Sequence, residues 1–257
     1  MRCYGGLGVK SNRMRNIIFE LCAETIDACL AAKEGGAHRV ELCSGLSEGG
    51  LTPSHGLVQA AIEQSALPVH VLLRPRGGGF QYTESEISVM REDIRHVKQL
   101  GAVGVVLGLL RTDGSVDVEG VRDLVQLAHP MRVTFHRAFD VTPSLPRALE
   151  DAIAAGCDRV LTSGGRSDIM EGTSCLSELI VQAKHRIVVA VGGGLRLKDA
   201  ASLARLTGAT HFHGSLRRRL STGRPSNEAV DESRSFGERY VVDPDDIRSI
   251  IHQLQND

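Results

Sequence analysis

From Ile17 onward the chain alternates short apolar runs with longer segments whose apolar residues recur at helical spacing. The apolar runs predict strands at Ile17–Cys22, Arg39–Cys43, Val69–Leu73, Val103–Leu107, Arg132–His136, Arg159–Ser163, Ile187–Val191 and Thr210–His213. Between them lie predicted helices at Glu24–Glu34, Pro53–Ser65, Glu84–Leu100, Val118–Ala128, Pro143–Ala155, Cys175–Lys184 and Leu197–Leu206, with a last one at Asp243–Leu254. Eight strand–helix units in one run predict a closed α/β structure, a (β/α)8 TIM barrel folded as a single domain over residues 17–257. Before each even strand stands a Gly followed by a small residue: Gly36-Ala37, Gly101-Ala102, Gly156-Cys157 and Gly208-Ala209. A Gly there ends the preceding helix in the left-handed conformation, and the small residue lets the chain turn tightly onto the sheet. An open doubly wound sheet is the alternative, but no Gly-x-Gly-x-x-Gly follows the first strand.

The segment RVELCSGLSEGGLTPS, Arg39–Ser54, carries Glu41 and Cys43 on one strand face into a turn where Gly45, Gly49 and Gly50 are free to take positive φ. Thr52 and Pro53 are expected to open the next helix as N-cap and first helical residue. At the other end of the domain Ser215–Val242 is polar and Arg-rich, and is expected to be a solvated loop or a lid.

Composition narrows the function classes. A formal net charge of -1 over 257 residues gives no electrostatic reason for a nucleic-acid partner or an anionic membrane surface. No apolar run approaches a membrane span. Residues 1–16 hold Arg2, Lys10, Arg13 and Arg15 without an apolar core, which reads as a flexible leader on a cytoplasmic protein. The six cysteines contain no CxxC pair, against a zinc ribbon or disulfide framework. None of the five lysines ends a strand, so a Schiff-base aldolase lacks its nucleophile. The first strand lacks the His-x-His of a two-metal hydrolase; the single such pair is His211-x-His213 on the eighth.

In a parallel barrel the carboxyl ends of the strands converge on one mouth. They deliver Glu20 and Cys22, Glu41 and Cys43, Arg74 and Arg76, His136, Arg137 and Asp140, Thr162-Ser163-Gly164-Gly165, Gly192–Gly194, and His211, His213 and Ser215. Such a polar set exceeds what a packed core requires, because buried carboxylates and guanidinium groups must be paired. Ion pairing between neighbouring strands, such as Glu41 with Arg74, is the structural alternative to a site. As a site, the set offers Arg74 or Arg76 with the backbone of Gly192, Gly193 and Gly194 and with Ser215 as a cradle for a small anionic ligand. His136 would do acid–base work near neutral pH, oriented by Asp140, with Glu41 as a further catalytic candidate. Cys22 and Cys43, on adjacent strands, are expected to point together toward the mouth, with Arg74 favouring their thiolates; the alternative is that both are small buried hydrophobes.

The motifs FELCAE, RVELCSGLSEGGLTPS, RPRGGGF, VTFHRAFD, RVLTSGG and VGGG, in this order, resemble the CutC family, described as copper homeostasis proteins. The likeness runs from about Ile18 to Ser215 and weakens beyond it. It implies a cytoplasmic, homo-oligomeric barrel with a copper(I) site whose thiol ligands fall on Cys22 and Cys43. Two soft ligands suffice for copper(I). The arginines, the histidine and the glycine-rich loop exceed that need, and they keep open an alternative: a barrel enzyme acting on a small phosphate or carboxylate substrate.

Overall fold

A computed structural model describes residues 15–220 and 238–256; residues 1–14 of the leader and the middle of the Ser215–Val242 segment lie outside them. Eight parallel strands close in sequence order into a barrel. They are β1 (Ile18–Ala23), β2 (Arg39–Leu42), β3 (Val69–Leu72), β4 (Gly104–Leu107), β5 (Arg132–Phe135), β6 (Arg159–Thr162), β7 (Val188–Val191) and β8 (His211–Gly214). The helices are α1 (Ile26–Glu34), α2 (His55–Ser65), α3 (Glu84–Leu100), α4 (Val118–Ala128), α5 (Leu145–Ala155), α6 (Thr173–Ala183), α7 (Ala200–Thr207) and α8 (Pro244–Gln255). Gly36, Gly101, Gly156 and Gly208 all have positive φ, as the helix-to-strand turns demand.

Two details of the expected elements change. Helix α2 begins two residues later than expected, capped by Ser54, whose hydroxyl accepts from the Leu57 N–H. Thr52 is used instead to tie the loop to β3: its Oγ1 accepts from the Arg74 N–H at 3.0 Å, and its own N–H donates to the Arg74 carbonyl. The Ser215–Val242 segment is not all loop. Its ends pair as a two-stranded antiparallel sheet, β9 (Arg217–Arg219) with β10 (Tyr240–Val242).

Strand alternation divides the interior into two chemistries. Outward-facing Leu21, Val40, Val71, Val105, Val133, Val160, Val189 and Phe212 pack under the helices in one apolar layer. Inside the barrel a much smaller apolar cluster contains Cys22, Cys43, Leu72 and Val106. Below it the barrel is filled by charge.

Glu20 on β1, fully buried, takes both oxygens to Arg159 Nη2 of β6 at 2.7 and 2.6 Å. Arg39 Nε of β2 lies 2.7 Å from the same carboxylate, and His213 Nδ1 of β8 donates to it at 2.8 Å. One carboxyl group thereby joins four of the eight strands. Burial alone would raise its pKa; the His213 hydrogen bond and the Arg39 charge reverse this and hold it at about 2.

Glu20→Gln should therefore cost about 3–5 kcal/mol in a urea-unfolding measurement, because it strands buried guanidinium groups. The Glu20 contribution is complete above the ordinary carboxylate value of 4.5 and is lost as pH falls toward about 2. The stability gap between parent and variant should narrow across that window. A gap that stays constant with pH would contradict the assignment.

Candidate functional site

The register of β1 against β2 places Cys22 opposite Glu41, so Cys43 lies diagonally one step further along. The expectation that both thiols converge holds: Cys22 Sγ and Cys43 Sγ are 3.6 Å apart. Both residues are buried, Cys43 completely, and Cys43 Sγ is also 3.7 Å from the Ala23 carbonyl. Cys22 Sγ sits 4.0 Å from Glu41 Oε1. His213 completes the group, since donor atoms of Cys22, Glu41 and His213 all lie within 4.8 Å of one another. Of these, His213 is placed at the mouth by the sequence, but without a role. What singles it out is the bond of its Nδ1 to Glu20, which leaves Nε2 for another partner.

Charge is distributed unevenly here. The hydrogen bond with Cys43, together with burial, pushes the Cys22 thiol well above its ordinary value, so Arg74 does not make it a thiolate. Burial raises the Glu41 carboxyl to about 7, with Glu20 adding to the effect and His213 opposing it. Burial would depress His213, but the charge of Glu41 and the bonds to Cys22 and Glu20 raise it well above the usual imidazole range.

Arg74 and Glu41 do not pair. The Arg74 guanidinium instead clamps the loops of the mouth, with Nη1 donating to the Glu48 and Gly50 carbonyls at 2.6 and 2.8 Å and Nη2 to the Gly78 carbonyl at 2.8 Å. Arg76 faces away, ion-paired with Glu86 and stacked over the Tyr82 ring. Pro75 between them breaks the alternation that would have kept both arginines on one side.

Asp140 does not orient His136. It accepts from the Thr162 hydroxyl at 2.5 Å and from the N–H groups of Ser163 and Gly165, bracing the loop after β6, and it pairs with Arg137 at 2.8 Å. His136 is oriented locally: its Nδ1 accepts from the Ala138 N–H at 3.1 Å, while its ring packs against Phe80. Burial lowers its pKa to about 3, which holds the ring neutral at ordinary pH.

A cavity of about 280 Å³ opens beside the thiols, lined in part by Cys22, Glu41, Arg74, His136, Arg137 and His213. Gly193, Gly194 and Ser215 also reach it. Gly192 does not: its N–H is used by the Thr162 carbonyl, and a Cβ there would lie 2.8 Å from Leu161. Gly193 has φ +105, and a Cβ would come within 2.9 Å of the Arg137 guanidinium carbon. That glycine is what lets Arg137 lie against the loop after β7.

With Nδ1 as acceptor, His136 should be a neutral Nε2–H tautomer. Its side-chain nitrogen shifts in NMR should stay constant between about pH 5 and pH 8, the range in which an ordinary imidazole titrates. A titration step near 6.5 would contradict this environment.

Comparison with known proteins identifies the family. The family profile described as CutC family matches residues 17–218. A family protein CutC of Bacteroides fragilis (strain YCH46) is 45% identical over 219 residues, covering 84% of this chain and 87% of the relative. The human copper homeostasis protein cutC homolog is 42% identical over 244 residues, covering 94% of this chain and 89% of the relative. A solved structure from Streptococcus agalactiae, titled as a copper homeostasis protein CutC, superposes with a TM-score of 0.74 at 32% identity, covering 77% of this chain and 98% of that one. The chain belongs to the CutC family.

Proposed function

We propose that this protein binds copper(I) at the barrel mouth as part of copper homeostasis. Cys22 and Cys43 act as thiolate ligands and His213 Nε2 as the third donor. The observation that carries the reading is the buried thiol pair, 3.6 Å apart, beside the Cys22, Glu41 and His213 cluster. Two metal–thiolate bonds of about 2.3 Å set in line would hold the sulfurs about 4.6 Å apart. The shorter separation suits a bent pair closed by one further ligand, and imidazole is compatible with thiolates on a soft ion.

Glu20 serves His213 as the carboxylate that fixes a metal-binding histidine's ring and tautomer. Metal binding must displace three protons to solvent, one from each thiol and one from His213 Nε2, of which those on Cys22 and His213 are held tightly. The apolar neighbours Leu46, Leu72 and Val106 shield the sulfurs from water. Copper's role here is that of cargo held by soft ligands. The names of the human and Streptococcus agalactiae relatives support the same role.

The reading assigns the protein to a reducing compartment, the cytoplasm. All of the cysteines among the described residues are free. Thiols as close as Cys22 and Cys43 would be lost as ligands if oxidised to a disulfide.

Competition of the protein with a copper(I) chelator should show one tight ion per chain. Cys22→Ser and Cys43→Ser should each weaken binding by a factor of roughly 100 or more, and His213→Gln by roughly 10 to 100, the range typical of metal-site substitutions. Parent-like affinity in either cysteine variant would overturn the site.

A further inference from the structure

The thiol pair leaves the rest of the mouth cavity unexplained. Copper(I) needs neither of its arginines nor His136. Three of its lining residues, Arg74, His136 and Glu41, each carry a buried polar atom (Arg74 Nε, His136 Nε2 and Glu41 Oε2) without a hydrogen-bond partner among the described residues. Buried polar groups are ordinarily paired, so three unpaired atoms around one hollow mark the place where a bound molecule supplies the missing bonds.

The sign of that molecule follows from Arg74. Arg74 is only 5% exposed, its Nη1 and Nη2 bonds go to carbonyl oxygens, and its other polar neighbour is the uncharged Tyr82 hydroxyl. No carboxylate lies within ion-pairing distance of it among the described residues. A buried cation without a counter-ion is costly, and an anion in the cavity would neutralise it. The carbonyl clamp fixes the guanidinium plane, and the Phe80 ring lies 5.3 Å from its central carbon. The free Nε–H is therefore held still rather than searching for a partner.

His136 supplies a second fixed donor. Its Nδ1 accepts from the Ala138 N–H, so Nε2 carries the hydrogen, and burial keeps the ring neutral at ordinary pH. Arg137 supplies a third. Its Nε is bound to Asp140 and its Nη2 to Ser163, while Nη1 makes no hydrogen bond among the described residues.

Phosphate fits this set less well than carboxylate. Barrels that bind phosphate use glycine N–H groups after the seventh strand and a short helix N-terminus after the eighth. Here the Gly192 N–H is already used, and the chain leaves β8 directly into the β9 strand without a helix. A few side-chain donors around a small hollow suit a planar group of two oxygens. Glu41 Oε2, on the same wall, would accept from a hydroxyl on the neighbouring carbon.

We infer that the cavity beside the thiol pair is a subsite for a small hydroxy-carboxylate, whose anionic end is held by Arg74 Nε, His136 Nε2 and Arg137. The inference does not rest on copper binding, since these donors are distinct from the sulfurs and His213.

The test is calorimetric titration of metal-free protein, kept in chelator, with glycolate and separately with inorganic phosphate. Glycolate should bind saturably at one site per chain and more tightly than phosphate. His136→Asn keeps an acceptor for the Ala138 N–H and removes the Nε2 donor; it should weaken glycolate at least tenfold. Arg137→Gln, at a half-exposed side chain, should do the same, and it keeps the test informative if the His136 variant fails to fold. Arg76→Gln, outside the cavity, should bind as the parent does. Absence of saturable glycolate binding, parent-like binding in both His136 and Arg137 variants, or tighter binding of phosphate than glycolate would each overturn the inference. Failure here with intact copper binding would leave the thiol site standing.

Discussion

The carboxylate of Glu20 is the constraint on which the mouth of this barrel depends. It is wholly buried, yet it remains charged because Arg39, Arg159 and His213 converge on it from three other strands. Most barrels fill this level with branched apolar side chains, which pack in layers without any demand for partners. An ionic filling imposes stricter geometry, since every charge placed there must meet its counterpart or cost several kcal/mol, of order 3–5 for a broken pair. The glycines around it reflect that demand. A Cβ at Gly104 would lie 2.5 Å from the His70 ring, and one at Gly108 would lie 2.6 Å from the His136 ring, so space for imidazoles is made by removing side chains from β4 and the loop after it.

From that hub the site follows by alternation. Two residues beyond Glu20 on the same face comes Cys22, and the β1–β2 register sets Glu41 opposite it. His213 is turned by its bond to Glu20 so that its other nitrogen is left for the thiols. The thiol pair and the donor-lined cavity are neighbours that share one wall, with Glu41 and Cys22 common to both. On the proposed reading a metal would be held by sulfur on one side and an anion by arginine and imidazole on the other, each with its own ligands.

Much of this was legible in the sequence because barrel topology follows from local pattern. Period-two apolar runs, helical spacing between them and Gly-small pairs before the even strands predict eight units, and the structure has them. The convergence of Cys22 and Cys43 was legible for the same reason, since strand parity sets facing. Partnership was not. Glu20 and His213 are separated by 193 residues, and only the closure of β8 onto β1 brings them together. A Glu41–Arg74 ion pair stood as the alternative to a site, but the reach of Arg74 is taken up by loop carbonyls whose position depends on the Gly45–Gly50 turn. Asp140 follows His136 closely in sequence, yet the short helical turn at Arg137–Val141 swings it toward β6, where it serves Thr162 and Ser163.

The claim that the Cys22–Cys43 pair is a metal site is most directly tested by X-ray absorption at the copper edge of anaerobically loaded protein. The account predicts two sulfur neighbours at about 2.3 Å, the usual metal–thiolate distance, together with one nitrogen ligand showing the outer-shell scattering of an imidazole. A first shell made of nitrogen and oxygen alone would contradict it.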